Sequence, residues 1–315
     1  METLRPYDLV VVSLIGATGT ALGGPGPDAV AQATAAVAAA AACASALYAA
    51  DYLTRSQDMA TKPDRPIPSG RLSPCAATTS AGLAAVVAVV LMSLLNVRAL
   101  LFVVLAAVAS YAYGRWLKDR GLWGDAATGF AGWSCPLLAG ACLAAPWPPA
   151  ELVAPAVALG VQGAFGNLLL ALDDRPNDLK AHCRTHPVRH GPTRTARTLG
   201  VLSAATYTTA AFTPVLTGRP PTAGFLLFLG AAVPLAVAVL AATRPHAGGR
   251  LHQAVTRHLY ERLLLPGALL ALAGQTTAAT AATAAAALTI ALTPRPMLHA
   301  APARSGLRLP GGTTL

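Results

Sequence analysis

The chain has 315 residues, 54% hydrophobic and only 11% charged, with a formal net charge of +10. A soluble domain carries about 25% charged residues, so this composition excludes an ordinary water-soluble enzyme. It also excludes a nucleic-acid binder, because no polar domain exists to present the basic charge.

Apolar runs recur along the chain at roughly 8–24, 29–50, 73–95, 99–113, 124–145, 151–172, 198–216, 222–242 and 264–292. A membrane span needs about 20 apolar residues, and these runs predict an all-α, polytopic membrane protein of about nine transmembrane helices. The 99–113 run is short unless it borrows flanking residues, and 264–292 is long enough to tilt or to break at Gly274. Arg5 precedes the first run, but no cleavage site follows it, so no removable signal peptide is expected. Residues 295–315 read as a disordered tail behind a single domain at 1–294.

The charges supply a topology. With the N-terminus in the cytoplasm, 18 of the 23 Lys and Arg residues fall at Arg5 and in the loops after the second, fourth, sixth and eighth helices. The opposite loops hold only Arg98 and Arg219. This positive-inside bias predicts a cell-membrane protein whose even loops face the cytoplasm.

Two of those loops are also acidic. The first carries Asp51 and Asp58, seven residues apart with Thr54 between them on one helical stripe. The second, "LDDRPNDLKAH" at 172–182, carries Asp174 and Asp178, four apart and one above the other on a continuing helix. Carboxylate pairs suit Mg2+, which commonly binds one or two carboxylates plus substrate phosphates. The interleaved Arg and Lys side chains suit the remaining phosphate charge. The joint pattern is a membrane-embedded diphosphate site.

On these residues the sequence resembles the UbiA-type integral-membrane prenyltransferases. The stretch "KPDRPIPSGRLS" (62–73) matches the distal part of that family's first motif, with Asp58 at its last aspartate. Asp174, Asp178, Thr185 and Gly191 match the second motif. "YGRWLKDRGLWGD" carries Tyr113, Lys118, Gly124 and Asp125 at positions the family also uses. Two departures stand out: Ala50 occupies the place of an Asn, and Thr54 that of the middle aspartate.

The resemblance implies a helical bundle around a central cavity that opens to the cytoplasm. It further implies Mg2+-dependent transfer of a prenyl group from an allylic prenyl diphosphate to a small-molecule acceptor. Asp58, Asp174 and Asp178 would be metal ligands, with Asp51, next to Ala50, substituting for the missing Asn. Arg65, Lys118 and Lys180 would bind the diphosphate, and Lys118 and Tyr113 would act at the reacting centre. A membrane terpene cyclase of the same fold and a non-catalytic or transporter-like homologue are the alternatives. Membrane lipids are the only other partners expected, with no obligate protein partner. The excess of Arg over Lys, 20 to 3, points to a high-GC bacterial genome.

Other features take blander readings. The five cysteines have no metal-ligand spacing and read as small packing residues. His182, His186 and His190 recur every four residues, but Pro187 is expected to interrupt a helix there. A basic loop meeting lipid headgroups or phosphate fits better than a zinc site. The stretch 248–264 reads as a basic amphipathic helix lying at the interface.

Overall fold

The computed structural model describes residues 3–24, 26, 28–244 and 250–293; the tail assigned to 295–315 lies outside them. Thirteen α-helices and no strand occur among the described residues. In chain order they are α1 Pro6–Gly23, α2 Ala29–Leu53, α3 Arg55–Thr61, α4 Pro74–Leu95, α5 Ala99–Ala112, α6 Leu122–Gly129 and α7 Cys135–Ala141. There follow α8 Val153–Asp173, α9 Arg175–Lys180, α10 His186–Leu216, α11 Ala223–Ala242, α12 Leu251–Leu272 and α13 Thr276–Leu292.

Seven helices among the described residues are long and apolar enough to cross a membrane, two fewer than the nine apolar runs. The physical reasons lie in two places. Over the 124–145 run the helix continues from α6 through a π-helical turn at Phe130–Ser134 into α7, but Asp125, Thr128, Ser134 and its glycines make it less apolar than the seven. The 264–292 run breaks where Gly274 adopts a left-handed φ of 84°, dividing it between α12 and the 17-residue α13.

The helix ends follow local chemistry. Asp28 accepts from the amides of Val30 and Ala31 to start α2, and Ser73 accepts from Ala76 to start α4, with Pro74 at the first helical position. Contacts sort the loops to two ends of the bundle. One end gathers residues around 62, 119, 174, 184 and 187 through Lys62–Asp174, Asp119–Arg184 and Arg175–Pro187 contacts. The other gathers 22, 96, 142–146, 219, 222 and 271.

Because lipid offers no hydrophobic driving force between helices, close packing of small residues must hold them. A Cβ on Gly19 of α1 would lie 2.0 Å from the Leu137 carbonyl of α7, and one on Gly140 would lie 2.1 Å from that of Gly16. These backbones touch. Outward, α4 presents Leu83, Val86, Val90 and Leu94 as exposed apolar side chains, the face that meets acyl chains.

The interfacial reading of 248–264 is overturned within the described residues. α12 packs into the core through Leu259 and Leu263, and its Glu261 and Arg262 point inward to partners, while Arg257 stays exposed. Glu261 accepts from Gln162 (2.9 Å) and from the Tyr207 hydroxyl, and pairs with His258 Nδ1 at 2.7 Å. Arg262 pairs with Asp8 at 2.8 Å and donates to the Tyr7 carbonyl. Ionisable groups at membrane depth are stable only when paired in this way. The helical stripe of Lys- and Arg-rich surface helices cannot be told in sequence from one whose charges are buried in pairs.

Candidate functional site

The first acidic loop is a hinge between two helices. α2 ends at Leu53, Thr54 sits at φ −92°, ψ 1°, and α3 begins at Arg55. Asp51 on the last turn of α2 and Asp58 on α3 are both buried. One nitrogen of Arg65, Nη1, lies 2.8 Å from Asp58 Oδ2 and 3.7 Å from Asp51 Oδ1. The Thr54 hydroxyl lies 2.8 Å from that same Asp58 oxygen. Arg65 is held by the turn that follows it: Ser69 donates from both its amide (2.9 Å) and its hydroxyl (2.7 Å) to the Arg65 carbonyl, and Leu72 donates to Pro66. Gly70 closes the turn at a left-handed φ of 76°. The two prolines and this glycine make the loop a rigid mount for one guanidinium.

The second acidic loop repeats the break. α8 ends at Asp173, Asp174 caps the short α9, and the amide of Asp178 still donates to the Asp174 carbonyl (3.0 Å). The helix expected to continue through 174–178 therefore pauses at Asp174, and the two side chains have different surroundings. Asp174 pairs with Lys62 from the first loop and accepts from Asn177 (2.9 Å). Asp178 is buried and accepts from the Thr185 hydroxyl (3.0 Å). Burial pushes the Asp178 carboxyl above the usual carboxylate range, against the pull of Lys118. Burial acts the same way at Asp174, but Lys62 and Asn177 outweigh it and hold that carboxyl below its usual value.

The third segment stands beside them. Tyr113 opens a π-helical turn, Tyr113–Leu117, and Lys118 follows in a 3-10 turn. Such π turns are frequent at functional positions. Tyr113, Lys118, Asp125, Asn167, Thr185 and His186 line one small pocket of about 10 Å³. In it Asn167 donates to Asp125 (2.7 Å) and its carbonyl oxygen stands 3.5 Å from the Tyr113 hydroxyl.

The fold thus brings Asp51, Asp58 and Arg65 together, and joins them through Lys62 to Asp174. Asp178, Lys118 and Tyr113 adjoin that cluster. Lys180 is not gathered in: it is exposed at the end of α9, with no ion pair among the described residues. Two residues escaped the sequence reading. Lys62 lay inside a quoted motif without a role. Asn167 was visible as a polar residue in an apolar run, two helical turns before Asp174 on the same face.

The donor set suits a hard cation. No three His, Cys, Asp or Glu side chains among the described residues are gathered as a complete metal cage. Instead, oxygen donors stand in pairs beside lysine and arginine side chains, a setting in which Mg2+ can be held when a substrate's phosphates complete its shell.

The sequence pattern that defines the UbiA prenyltransferase family matches residues 9–254. A digeranylgeranylglyceryl phosphate synthase of Korarchaeum cryptofilum is 31% identical over 156 residues, which is 50% of this chain and 55% of that protein. One of Hyperthermus butylicus is 32% identical over 165 residues, 50% and 54% of the two chains. The chain spans about half the length of the curated relatives it matches. Among solved structures, an apo UbiA homologue from Aeropyrum pernix superposes with a TM-score of 0.72 at 16% identity, over 83% of this chain and 97% of that one. A UbiA homologue from Archaeoglobus fulgidus, bound to GPP and Mg2+, gives 0.66 at 18% identity over 88% and 98%. At those identities the likeness is one of fold.

Proposed function

Because the chain belongs to the UbiA prenyltransferase family, we propose that it transfers a prenyl group from an allylic prenyl diphosphate to a small acceptor within the membrane. The observation that carries this reading is the meeting of two acidic loops, more than a hundred residues apart in sequence, through Lys62 and Asp174. The diphosphate- and Mg2+-bound relative from Archaeoglobus fulgidus supports the donor class. The synthases of Korarchaeum cryptofilum and Hyperthermus butylicus support prenyl transfer.

In this proposal Asp51 and Asp58 on one side, and Asp174 and Asp178 on the other, would hold Mg2+. When bound, the metal supplies positive charge to the departing diphosphate. Arg65, Lys62 and Lys118 bind phosphate oxygens, Arg65 from its rigid turn. Lys62 is the residue that changes partner, since the ammonium now on Asp174 is within reach of the phosphate that Asp174 would share. Lys180, exposed and apart, is left out of the set. Tyr113, whose hydroxyl stands 3.5 Å from the Asn167 carbonyl oxygen that Asp125 fixes through the same amide, would act at the reacting carbon, and exclusion of water would protect an allylic cation there. The end of the bundle that bears the site would face the cytoplasm, on the strength of its Lys and Arg excess.

The test is release of diphosphate from geranyl diphosphate by the purified full chain in nanodiscs. Release should require Mg2+ and fall to background with EDTA. Metal-independent release, or none from any allylic donor tried, overturns the proposal.

A further inference from the structure

Beside the small pocket, and outside the proposed catalytic set, lies a second depression with an unlike lining. Residues 120–123 form one wall and the first turns of α10 the other of an open surface depression of about 330 Å³. That is the size of a small-ligand site. Arg120 comes from the first wall, and Arg189, His190 and Arg194 from the second. No Asp or Glu lines it, and none of these arginines has an ion pair among the described residues. This contrasts with the neighbouring site, where Lys62 and Arg65 each have a carboxylate. Cations converging without counter-charge repel one another and focus a positive potential into the groove.

The histidine segment sits here in a form other than the one expected. Residues 186–190 are not a loop: Pro187 occupies the first turn of α10, where its missing amide donor costs nothing, and Gly191 at φ 77° bends the helix just after. Just before that bend, Arg189 and His190 line the depression opposite residues 120–123. The His186 and His190 rings are 4.7 Å apart, and His186 Nδ1 is anchored at 3.2 Å on Thr195.

The rim is apolar where the base is basic. Trp123 is 74% exposed and Leu122 is 42% exposed. A freely soluble anion has no use for that rim. Below the groove, Arg194, Thr198 and Val201 follow one another along one stripe of α10, and Val201 is 68% exposed. Cation, then hydroxyl, then bare hydrocarbon is the order met by a phospholipid that enters head first. Exposed tryptophans mark the headgroup level, and basic pockets between spans bind lipid phosphates.

We propose that this groove is a binding site for the phosphate headgroup of an anionic phospholipid. Arg120 takes the phosphate from one wall and Arg189 and Arg194 from the other, while an acyl chain follows α10 past Val201. The groove shares Gly121 and His186 with the pocket that holds Tyr113 and Lys118. The lipid therefore draws the segment carrying Lys118 onto α10 by neutralising arginines that otherwise push the two walls apart.

The test uses the full chain and no turnover, so it stands apart from the activity proposed above. Thermal unfolding is followed in nanodiscs of phosphatidylcholine alone and of phosphatidylcholine with phosphatidylglycerol. Lipid retained through detergent exchange is counted by native mass spectrometry. The parent should prefer phosphatidylglycerol by at least about tenfold and unfold at higher temperature with it, the scale of losing charge-assisted phosphate contacts. Arg189→Gln with Arg194→Gln, and separately Arg120→Gln from the opposite wall, should lose the preference and the shift. Arg197→Gln, exposed on the same helix but outside the groove, should keep both. Inorganic phosphate should not reproduce the shift. An unchanged preference in both groove variants overturns the proposal, as does an equal loss in Arg197→Gln. A shift as large with inorganic phosphate as with the lipid also overturns it, in favour of a free-phosphate site.

Discussion

At the first acidic loop a single guanidinium, that of Arg65, spans both Asp58 and Asp51, whereas at the second each carboxylate has a partner of its own. Asp174 answers to Lys62 and Asp178 to Thr185. The first loop is therefore a coupled unit whose two carboxylates share the fate of one arginine. The second has two carboxylates with hydrogen-bond partners of their own, one held below the ordinary carboxylate range and one above it. The difference also gives Thr54 a role. Standing where the family has an aspartate, it contacts Asp58 rather than adding a charge of its own, so the first loop keeps its shape with one carboxylate fewer.

The largest expected effects are at the second loop. Asp174→Ala or Asp178→Ala should each lower Mg2+-dependent diphosphate release at least about a hundredfold, the loss typical of removing one electrostatic group at a charge-developing centre. Rates within about twofold of the parent would make these residues interfacial anchors.

Coupling within the first loop is sharpened at Arg65. Arg65→Lys keeps the charge but loses the planar guanidinium whose Nη1 stands between the two carboxylates. The apparent KM for geranyl diphosphate should rise about tenfold. Asp51→Asn added to it should cost less than Asp51→Asn alone, because the arginine that linked the residues is gone. Full additivity would break the contrast drawn between the loops.

The opposite shifts in the second loop have signs that can be checked on metal-free protein by the infrared carboxyl bands. Lys62→Met removes the cation that outweighs burial at Asp174, so that carboxyl should protonate at higher pH than in the parent. Thr185→Val removes a hydrogen bond that favours the charged form of Asp178, so the already raised Asp178 should move further upward. Lys62 also acts on Asp178, though less than burial and Lys118 do, so Lys62→Met should move the Asp178 band upward as well, whereas Thr185→Val should leave the Asp174 band in place. An unmoved Asp178 band in Lys62→Met, or a moved Asp174 band in Thr185→Val, would contradict this.

The smallest effect belongs to Thr54. Thr54→Val should raise the half-saturating Mg2+ concentration by only about threefold, the worth of a single partly exposed hydrogen bond. Thr54→Asp should lower it, since a carboxylate at that position points at the same place as Asp58.

Much of this was legible in the sequence, for identifiable reasons. Apolar runs and a one-sided distribution of Lys and Arg are imposed by the bilayer, so they announce helices and their alternation. The Pro66-Ile67-Pro68-Ser69-Gly70 run fixes its own turn locally, so its consequence for Arg65 can be anticipated. Other features depend on what a side chain meets across the bundle. Glu261 and Arg262 read as surface charges because Gln162, Tyr207 and Asp8, which bury and pair them, are distant in sequence. Lys62 falls to the same blindness, its partner being Asp174. Lys180 was placed beside Asp178 by proximity in sequence, and in the fold it is exposed at the end of α9, without an ion pair among the described residues. The break at Gly274 was visible as a weak point, but only the left-handed backbone there makes it a helix end.

That the two loops act as one Mg2+–diphosphate site is tested most directly by a double-mutant cycle on binding rather than turnover. Mg2+-dependent affinity for geranyl diphosphate is measured calorimetrically for the parent, Asp58→Ala, Asp174→Ala and the double variant. If both loops grip one ligand, either single change should remove most of the metal-dependent affinity, and the double variant should be little worse than the weaker single one. Two independent losses that add in full would contradict the account, because each loop would then be binding on its own.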